Sequence, residues 1–287
     1  YRPPKRLVFY VNNYAKSSRV DVFPTGEIKW VAGGKDYGWI SLGGITFATN
    51  EPAPPVNKWK KVAGHLIDIG AGANGSVWGI NADKSISSWT GTTWKKVSGC
   101  AKRIDVGPQG HPWVIDCDNA LSQWNGSSWI KSPGKTGTDV GVGADGTVWL
   151  ITDKKQFGGY TIERFKDKRW ENINGAAVRI DVDNKGNAWV TQESAGKIWH
   201  WNGSRWTRIS GQGIDIGSGA DGTVVVISKD GTPYKRDGER WEVIAGGHGF
   251  ENITVDKDGN PWALNKNTNE VHTWGDAGNA KAAHLDK

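Results

Sequence analysis

One tryptophan-opened segment recurs along this chain: Trp59-Lys-Lys-Val-Ala-Gly, Trp94-Lys-Lys-Val-Ser-Gly, Trp129-Ile-Lys-Ser, Trp170-Glu-Asn-Ile, Trp206-Thr-Arg-Ile-Ser-Gly and Trp241-Glu-Val-Ile-Ala-Gly. Successive copies begin 35, 35, 41, 36 and 35 residues apart. A self-similar period in this range marks a repeat architecture, in which each unit buries its apolar face against its neighbours. What one unit folds into therefore decides the whole.

After its opening, each unit runs through a segment such as Ile67-Asp68-Ile69-Gly70, a turn at Asn74-Gly75, an apolar run Val77-Trp78-Gly79-Ile80 and a third run Ile86-Ser-Ser-Trp89. Equivalent turns stand at Asp145-Gly146, Asp221-Gly222 and Asp258-Gly259. Asn-Gly or Asp-Gly between apolar runs is a strong hairpin signal, because both residues accept positive φ. Helix-period patterning is absent, and 40 glycines suit a chain of tight turns. The unit is thus four short antiparallel strands, and the fold class is all-β.

Arranging such units radially leaves few exposed strand edges, which predicts a β-propeller of four-stranded antiparallel blades. Trp78, Trp113, Trp149, Trp189 and Trp262, with Val225 at the equivalent place, are expected to pack between blades. The last unit stops at Trp274, three strands in, so residues 59–64 are expected to supply its fourth strand and close six blades. This gives a propeller over 59–287 and leaves 1–58 as a β-rich N-terminal segment, with strands expected near 7–12, 19–23 and 27–33. A degenerate seventh blade is the alternative for that segment.

The combined pattern, W-x-x-[IV]-x-G followed by I-D-[IV]-G, a D-G or N-G turn and V-W, resembles the tectonin repeat of the tectonin and tachylectin-1 family, over residues 59 to about 275. The resemblance implies a propeller, typically six-bladed, that acts as a lectin in innate defence or cell-surface recognition. Its implied ligands are bacterial lipopolysaccharide, N-acetylglucosamine-type sugars or O-methylated glycans. Residues 1–58 depart from the core pattern.

Aromatic pairs flank the turn between the third and fourth strands: Trp89 and Trp94, Trp124 and Trp129, Trp201 and Trp206. A separation of five makes the two rings cross-strand neighbours on one face,. Such a face can stack on the apolar side of a pyranose while Thr90, Asn125 or Asn202 bonds hydroxyls, and His200 lies beside Trp201,. The competing reading is that the rings cover the blade edge. In the third and fifth repeats the first partner is Phe165 and Arg236, so those sites are expected to be weak if the pairs bind sugar.

Other chemistry is poorly supported. Asp68, Asp105, Asp139, Asp181 and Asp215 recur in nearly every unit, as a structural acceptor does and a catalyst does not. The turns at Asp181 and Asp256 superficially resemble calcium loops but coincide with ordinary inter-strand turns, and neither has the closing Glu of an EF-hand,. The six histidines show no paired metal-ligand spacing, so neither metal nor cofactor is expected,. A sialidase-type Asp-box separates its Asp and Gly, whereas Asp145 and Gly146 are adjacent, so an enzyme is not expected. If residues 108–111 form a turn, Cys100 and Cys117 lie almost opposite each other, so a disulfide is expected, with two free thiols the competing reading,.

The net charge of +6 would suit an acidic partner, yet Lys and Arg are spread along the chain with Asp and Glu interleaved, and nucleic acid is not expected,. No run approaches the ~20 apolar residues that span a bilayer, so no membrane insertion is expected. Tyr1 opens the chain without Met or an apolar signal region, which fits a processed or a trimmed form and permits secretion,. The expectation is a secreted or extracellular multivalent lectin, with oligomers left open. A cytoplasmic protein-interaction propeller is the alternative.

Overall fold

In the computed structural model the described residues are 19–22, 28–32, 35–36 and 58–275. The chain forms two compact units, 1–56 and 57–287. In the first, β1 (Arg19–Val22), β2 (Ile28–Ala32) and β3 (Lys35–Asp36) make an antiparallel sheet in that order. The strand expected at 7–12 and the outer ends of the other two lie outside the described residues.

The second unit holds β4 (Trp59–Ala71), β5 (Val77–Asn81), β6 (Ser85–Trp89), β7 (Trp94–Val106), β8 (Pro112–Asp116), β9 (Ala120–Trp124), β10 (Trp129–Val142), β11 (Val148–Gln156), β12 (Gly159–Lys166) and β13 (Arg169–Ala177). It continues with β14 (Arg179–Val182), β15 (Ala188–Thr191), β16 (Lys197–Trp201), β17 (Trp206–Gln212), β18 (Asp215–Ser218), β19 (Val224–Ile227), β20 (Pro233–Asp237), β21 (Arg240–Val243), β22 (Phe250–Val255), β23 (Pro261–Asn265) and β24 (Glu270–Trp274). Every pairing is antiparallel between sequence neighbours except one, in which β24 pairs with the first half of β4, Trp274 opposite Trp59. Among the described residues no helix interrupts the strands.

β4, β7 and β10 are long because each serves two sheets. Residues 94–97 of β7 and, past a bulge, Cys100 pair with β6, and 101–106 pair with β8. The changeover uses Gly99 at a φ of 123°, a backbone state that costs a β-carbon-bearing residue dearly,. Later in the chain the two roles separate into β13 and β14, β17 and β18, β21 and β22.

The cores lie between facing sheets, which explains why inner strands such as β5, β15 and β19 are buried on both sides rather than alternating with solvent,. Trp78, Ile80, Ile86 and Val97 of one sheet pack with Ile104, Val106, Val114 and Trp124 of the next. Trp78, Trp149, Trp189, Trp262 and Val225 are buried as the repeat pattern requires, while Trp113 is half-buried.

The recurring aspartates tie each first strand to the following one. Asp68 accepts from the Ile104 amide at 2.6 Å, Asp139 from Ile180 at 3.1 Å, Asp181 from Ser218 at 2.8 Å and Asp215 from Ile253 at 2.8 Å, and Asp105 accepts from Val142 in the same way. At the sixth position stands Asn252, whose amide nitrogen donates back to Asp68 at 2.7 Å. Their partners are thus first strands of neighbouring sheets, and the links return to where they began.

Candidate ligand sites at the seams between sheets

The tryptophan pairs are cross-strand partners in register, Trp89 opposite Trp94, Trp124 opposite Trp129 and Trp201 opposite Trp206. Their ring centroids lie 5.1, 5.2 and 5.4 Å apart. Phe165 and Trp170 repeat the arrangement, as do Trp274 and Trp59, a pair that the sequence hides by splitting it between distant segments. Arg236 instead sets its guanidinium 5.2 Å from the Trp241 ring.

In two of the three pairs the members occupy different surroundings. Trp89 and Trp124 are 3% and 6% exposed and belong to the inter-sheet cores, whereas Trp94, Trp129, Trp201 and Trp206 are half-buried. The second ring lies across the seam, with its indole N–H donating to a carbonyl of the preceding sheet: Trp94 to Ala63 and Trp129 to Ser98 at 2.6 Å, Trp206 to Asn174 at 2.8 Å, Trp241 to Ser210 at 2.7 Å. The residue after each acceptor is the motif glycine, and a β-carbon on Gly99 or Gly175 would come within 2.6 or 2.7 Å of the indole nitrogen of Trp129 or Trp206. The Trp and Gly of the repeat motif therefore meet between copies, not within one.

Asn125 and Asn202 cap the hairpin turns. The Asn125 side-chain oxygen accepts from the amides of Ser127 and Ser128, and that of Asn202 from Ser204 and Arg205, which commits these oxygens to the backbone,. Both residues are exposed at the rim beside their tryptophans. His200 lies apart from them, because alternation along β16 sends it to the face opposite Trp201. It stacks on Trp189 at 4.1 Å and meets the Asp183 carboxylate at 3.1 Å. Burial pushes the Asp183 carboxyl up, but hydrogen bonds from His200, Asn187 and Lys185 outweigh it and hold the group below its usual range.

Two seams open into matching clefts of about 140 Å³ each. One is lined by Gly99, Cys100, Val114, Asp116, Ser122, Trp129 and Lys131. Here Cys100 and Cys117 form a disulfide, with Cα atoms 5.6 Å apart, and the Lys131 ammonium sits 3.3 Å from Asp116. A register shift between Ala101 and Arg103 brings the two cysteines opposite. The other cleft is lined by Gly175, Ala176, Val190, Gln192, Trp199 and Trp206. Gln192 is held there from both ends, accepting from the Trp199 indole at 3.0 Å and donating to the Ala176 carbonyl at 3.2 Å. An aromatic wall with a few fixed polar groups is the composition of a small-ligand site. At the Trp170 seam the ring is covered instead by the Lys135 ammonium, 4.8 Å from its centroid.

The first strands enclose Asp68, Asp105, Asp139, Asp181, Asp215, Arg103 and Asn252 around about 20 Å³, space for one water-sized molecule,. Burial raises the Asp68 carboxyl to about 6 against the pull of Arg103, and raises Asp215 to about 7 against Arg179 and Arg103. Burial likewise raises Asp105 and Asp181. Among the described residues no group of three or more His, Cys, Asp or Glu side chains is arranged to hold a metal ion.

The Tectonin domain model matches residues 33–119. No curated protein matches the sequence. Among solved structures, a protein proposed to be a gluconolactonase is 12% identical at a TM-score of 0.57, with 77% of this chain and 93% of that one covered. YCF48 bound to D1 peptide is 12% identical at 0.51, covering 95% and 94%. Virginiamycin B lyase from Staphylococcus aureus is 13% identical at 0.51, covering 94% and 94%. At such identities the likeness concerns the fold alone, and that fold serves enzymes as well as other proteins. Repeat motif, antiparallel sheets and matched domain agree: the chain has a β-propeller fold and carries a Tectonin domain over residues 33–119.

Proposed function

We propose that this protein is a multivalent lectin, a non-enzymatic ring of six blades that binds cell-surface glycans in the seams between blades. The blade count is supported by the pairing of β24 with the first half of β4 and by the circuit of Asp contacts that ends from Asn252 to Asp68. The observation that carries the binding reading is the half-exposed indole fixed by its N–H across a cleft, seen at Trp129 and again at Trp206. A ring locked in this way presents an apolar face at little further entropic cost, as stacking on a pyranose requires.

Lipopolysaccharide and O-methylated sugars are the ligands we favour, in defence or recognition outside the cell. The Cys100–Cys117 disulfide supports an oxidising compartment,. Several weak sites on one rigid body engage a dense glycan surface with avidity gains of about 10²–10⁴. The buried channel carboxylates are bound to backbone amides, which supports a structural role for them.

A glycan array that includes O-methylated sugars and lipopolysaccharide cores tests the reading, with Trp129→Ala and Trp206→Ala variants alongside. Saturable binding that weakens in the variants, with circular dichroism unchanged, is expected. A folded wild type that binds no glycan would instead make the protein an interaction scaffold.

A further inference from the structure

The one irregular spacing in the repeat, 41 residues between Trp129 and Trp170, has a structural meaning. The added residues lengthen the hairpin of β11 and β12, which run 9 and 8 residues, where β5 and β15 have 5 and 4. The extension does not stand free. It is tied to the next blade by the Glu193 amide donating to the Gly158 carbonyl at 3.0 Å and by an ion pair of Lys155 with Glu193 at 3.3 Å, and to β13 of its own blade by the Gln156 amide on the Gly175 carbonyl.

Beneath the arch lies a cavity of about 340 Å³, lined by Lys155, Gln156, Phe157, Gln192, Ser194 and Lys197 among others. Gln192 is also a wall of the Trp199–Trp206 cleft, so the two spaces adjoin. Phe157 stands at the hairpin tip fully exposed, an apolar ring on a compartment that also presents the side chains of Lys155, Gln156 and Lys197. Lys197 has no acidic partner among the described residues. At the Trp129 cleft the equivalent hairpin, β5 and β6, has strands of only 5 residues each.

We propose that the Trp206 seam is a bipartite site for a glycan of two or more units: one sugar lies against Trp206 and Trp199, and the next enters the compartment under the hairpin. There Phe157 stacks on the second ring, and Gln156, Lys155 and Lys197 donate to its hydroxyls. This rests on the lectin reading above. It makes one seam of the ring selective for chain length while the others take single units.

The test is titration calorimetry with matched mono-, di- and trisaccharides of N-acetylglucosamine, of mannose and of their O-methylated forms. Two variants accompany the wild type: Phe157→Ala, on an exposed side chain that carries no packing, and replacement of residues 154–158 by Asn-Gly. In at least one series, the wild type is expected to bind the trisaccharide about tenfold more tightly than the monosaccharide, at one site per chain. Both variants should lose that gain and keep monosaccharide affinity. A gain that survives in both variants, or affinity independent of length, overturns the bipartite site and leaves the lectin reading standing. No binding by the wild type in any series overturns both.

Discussion

The seams at Trp129 and Trp206 are built on one frame. Gly99 matches Gly175, Val114 matches Val190, and each indole reaches back to the preceding blade. Their clefts are equal in volume, yet Cys100 replaces Ala176, Asp116 replaces Gln192 and Ser122 replaces Trp199. One cleft is edged by a disulfide and an ion pair, the other by a second indole and a clamped amide. The backbone repeat therefore sets how large a site is, and three side chains set what it can hold. If the protein is the multivalent lectin proposed above, its sites need not be equal.

The largest separation of the two seams should come from reduction. The disulfide closes a loop of sequence separation 17, for which the chain-entropy argument gives about 3 kcal/mol. Tm should fall on adding a thiol reductant, and a Cys100→Ala, Cys117→Ala double variant should start low and show no response. Binding that needs Trp206 should survive at temperatures where the reduced protein is still folded. Loss of both seams together would mean that they unfold as one and are not independent.

Next in size are Gly99→Ala and Gly175→Ala. Both residues sit at positive φ, 123° and 149°, and an added β-carbon would collide with an indole. Each variant should lose about 2 kcal/mol in urea unfolding, the strain cost of an unsuited backbone plus displacement of the ring. Equal losses would support a common frame. A smaller loss at Gly99 would mean that the neighbouring disulfide absorbs the strain.

Much of this was legible before the structure. Period and turn chemistry specify the meanders, the recurring position of Trp78 and its equivalents between blades holds for all but the half-buried Trp113, and a separation of five pairs Trp124 with Trp129. What pattern cannot supply is the identity of partners in another repeat. Nothing local says that Gly99 lies under Trp129, or that Asp68 bonds the Ile104 amide, because these contacts are made a full repeat away. Burial within a pair is hidden for the same reason: which ring enters the core depends on the neighbouring blade. Adjacency in sequence groups His200 with Trp201, but strand alternation separates them,.

A smaller effect should act on what the seams share. The channel carboxyls of Asp68 and Asp215 hold their protons to about 6 and about 7, against 3.8 ordinarily. A carboxyl whose folded pKa is raised binds its proton more tightly folded than unfolded, so stability falls as pH rises from about 4 through those values. Carboxyls held low, such as Asp183, lose their contribution only as pH falls below the ordinary carboxylate range. Tm should therefore rise as pH is lowered from 8 to 5, and an Asp68→Asn, Asp215→Asn variant should flatten the profile. A wild-type Tm that rises with pH over this interval would show that Arg103 keeps these groups ionised.

The smallest change in stability, and the sharpest probe of the comparison, is an exchange of side chains. Ser122 and Trp199 are equivalent, each opposite the valine of its cleft, Val114 and Val190. Ser122→Trp adds an indole where a cleft of about 140 Å³ lies open, so a loss of only about 1 kcal/mol is expected, the low end for filling a packed site. Trp199→Ser takes away the donor to Gln192 and leaves its oxygen without that partner. If side chains set the chemistry, monosaccharide affinity should rise several-fold at the Trp129 seam in the first variant and fall at the Trp206 seam in the second. Asp116 and Lys131 remain in the first, so its gain should be the smaller. Unchanged affinity in both variants would place selectivity in the backbone frame, and the two seams would then have to be regarded as equal sites.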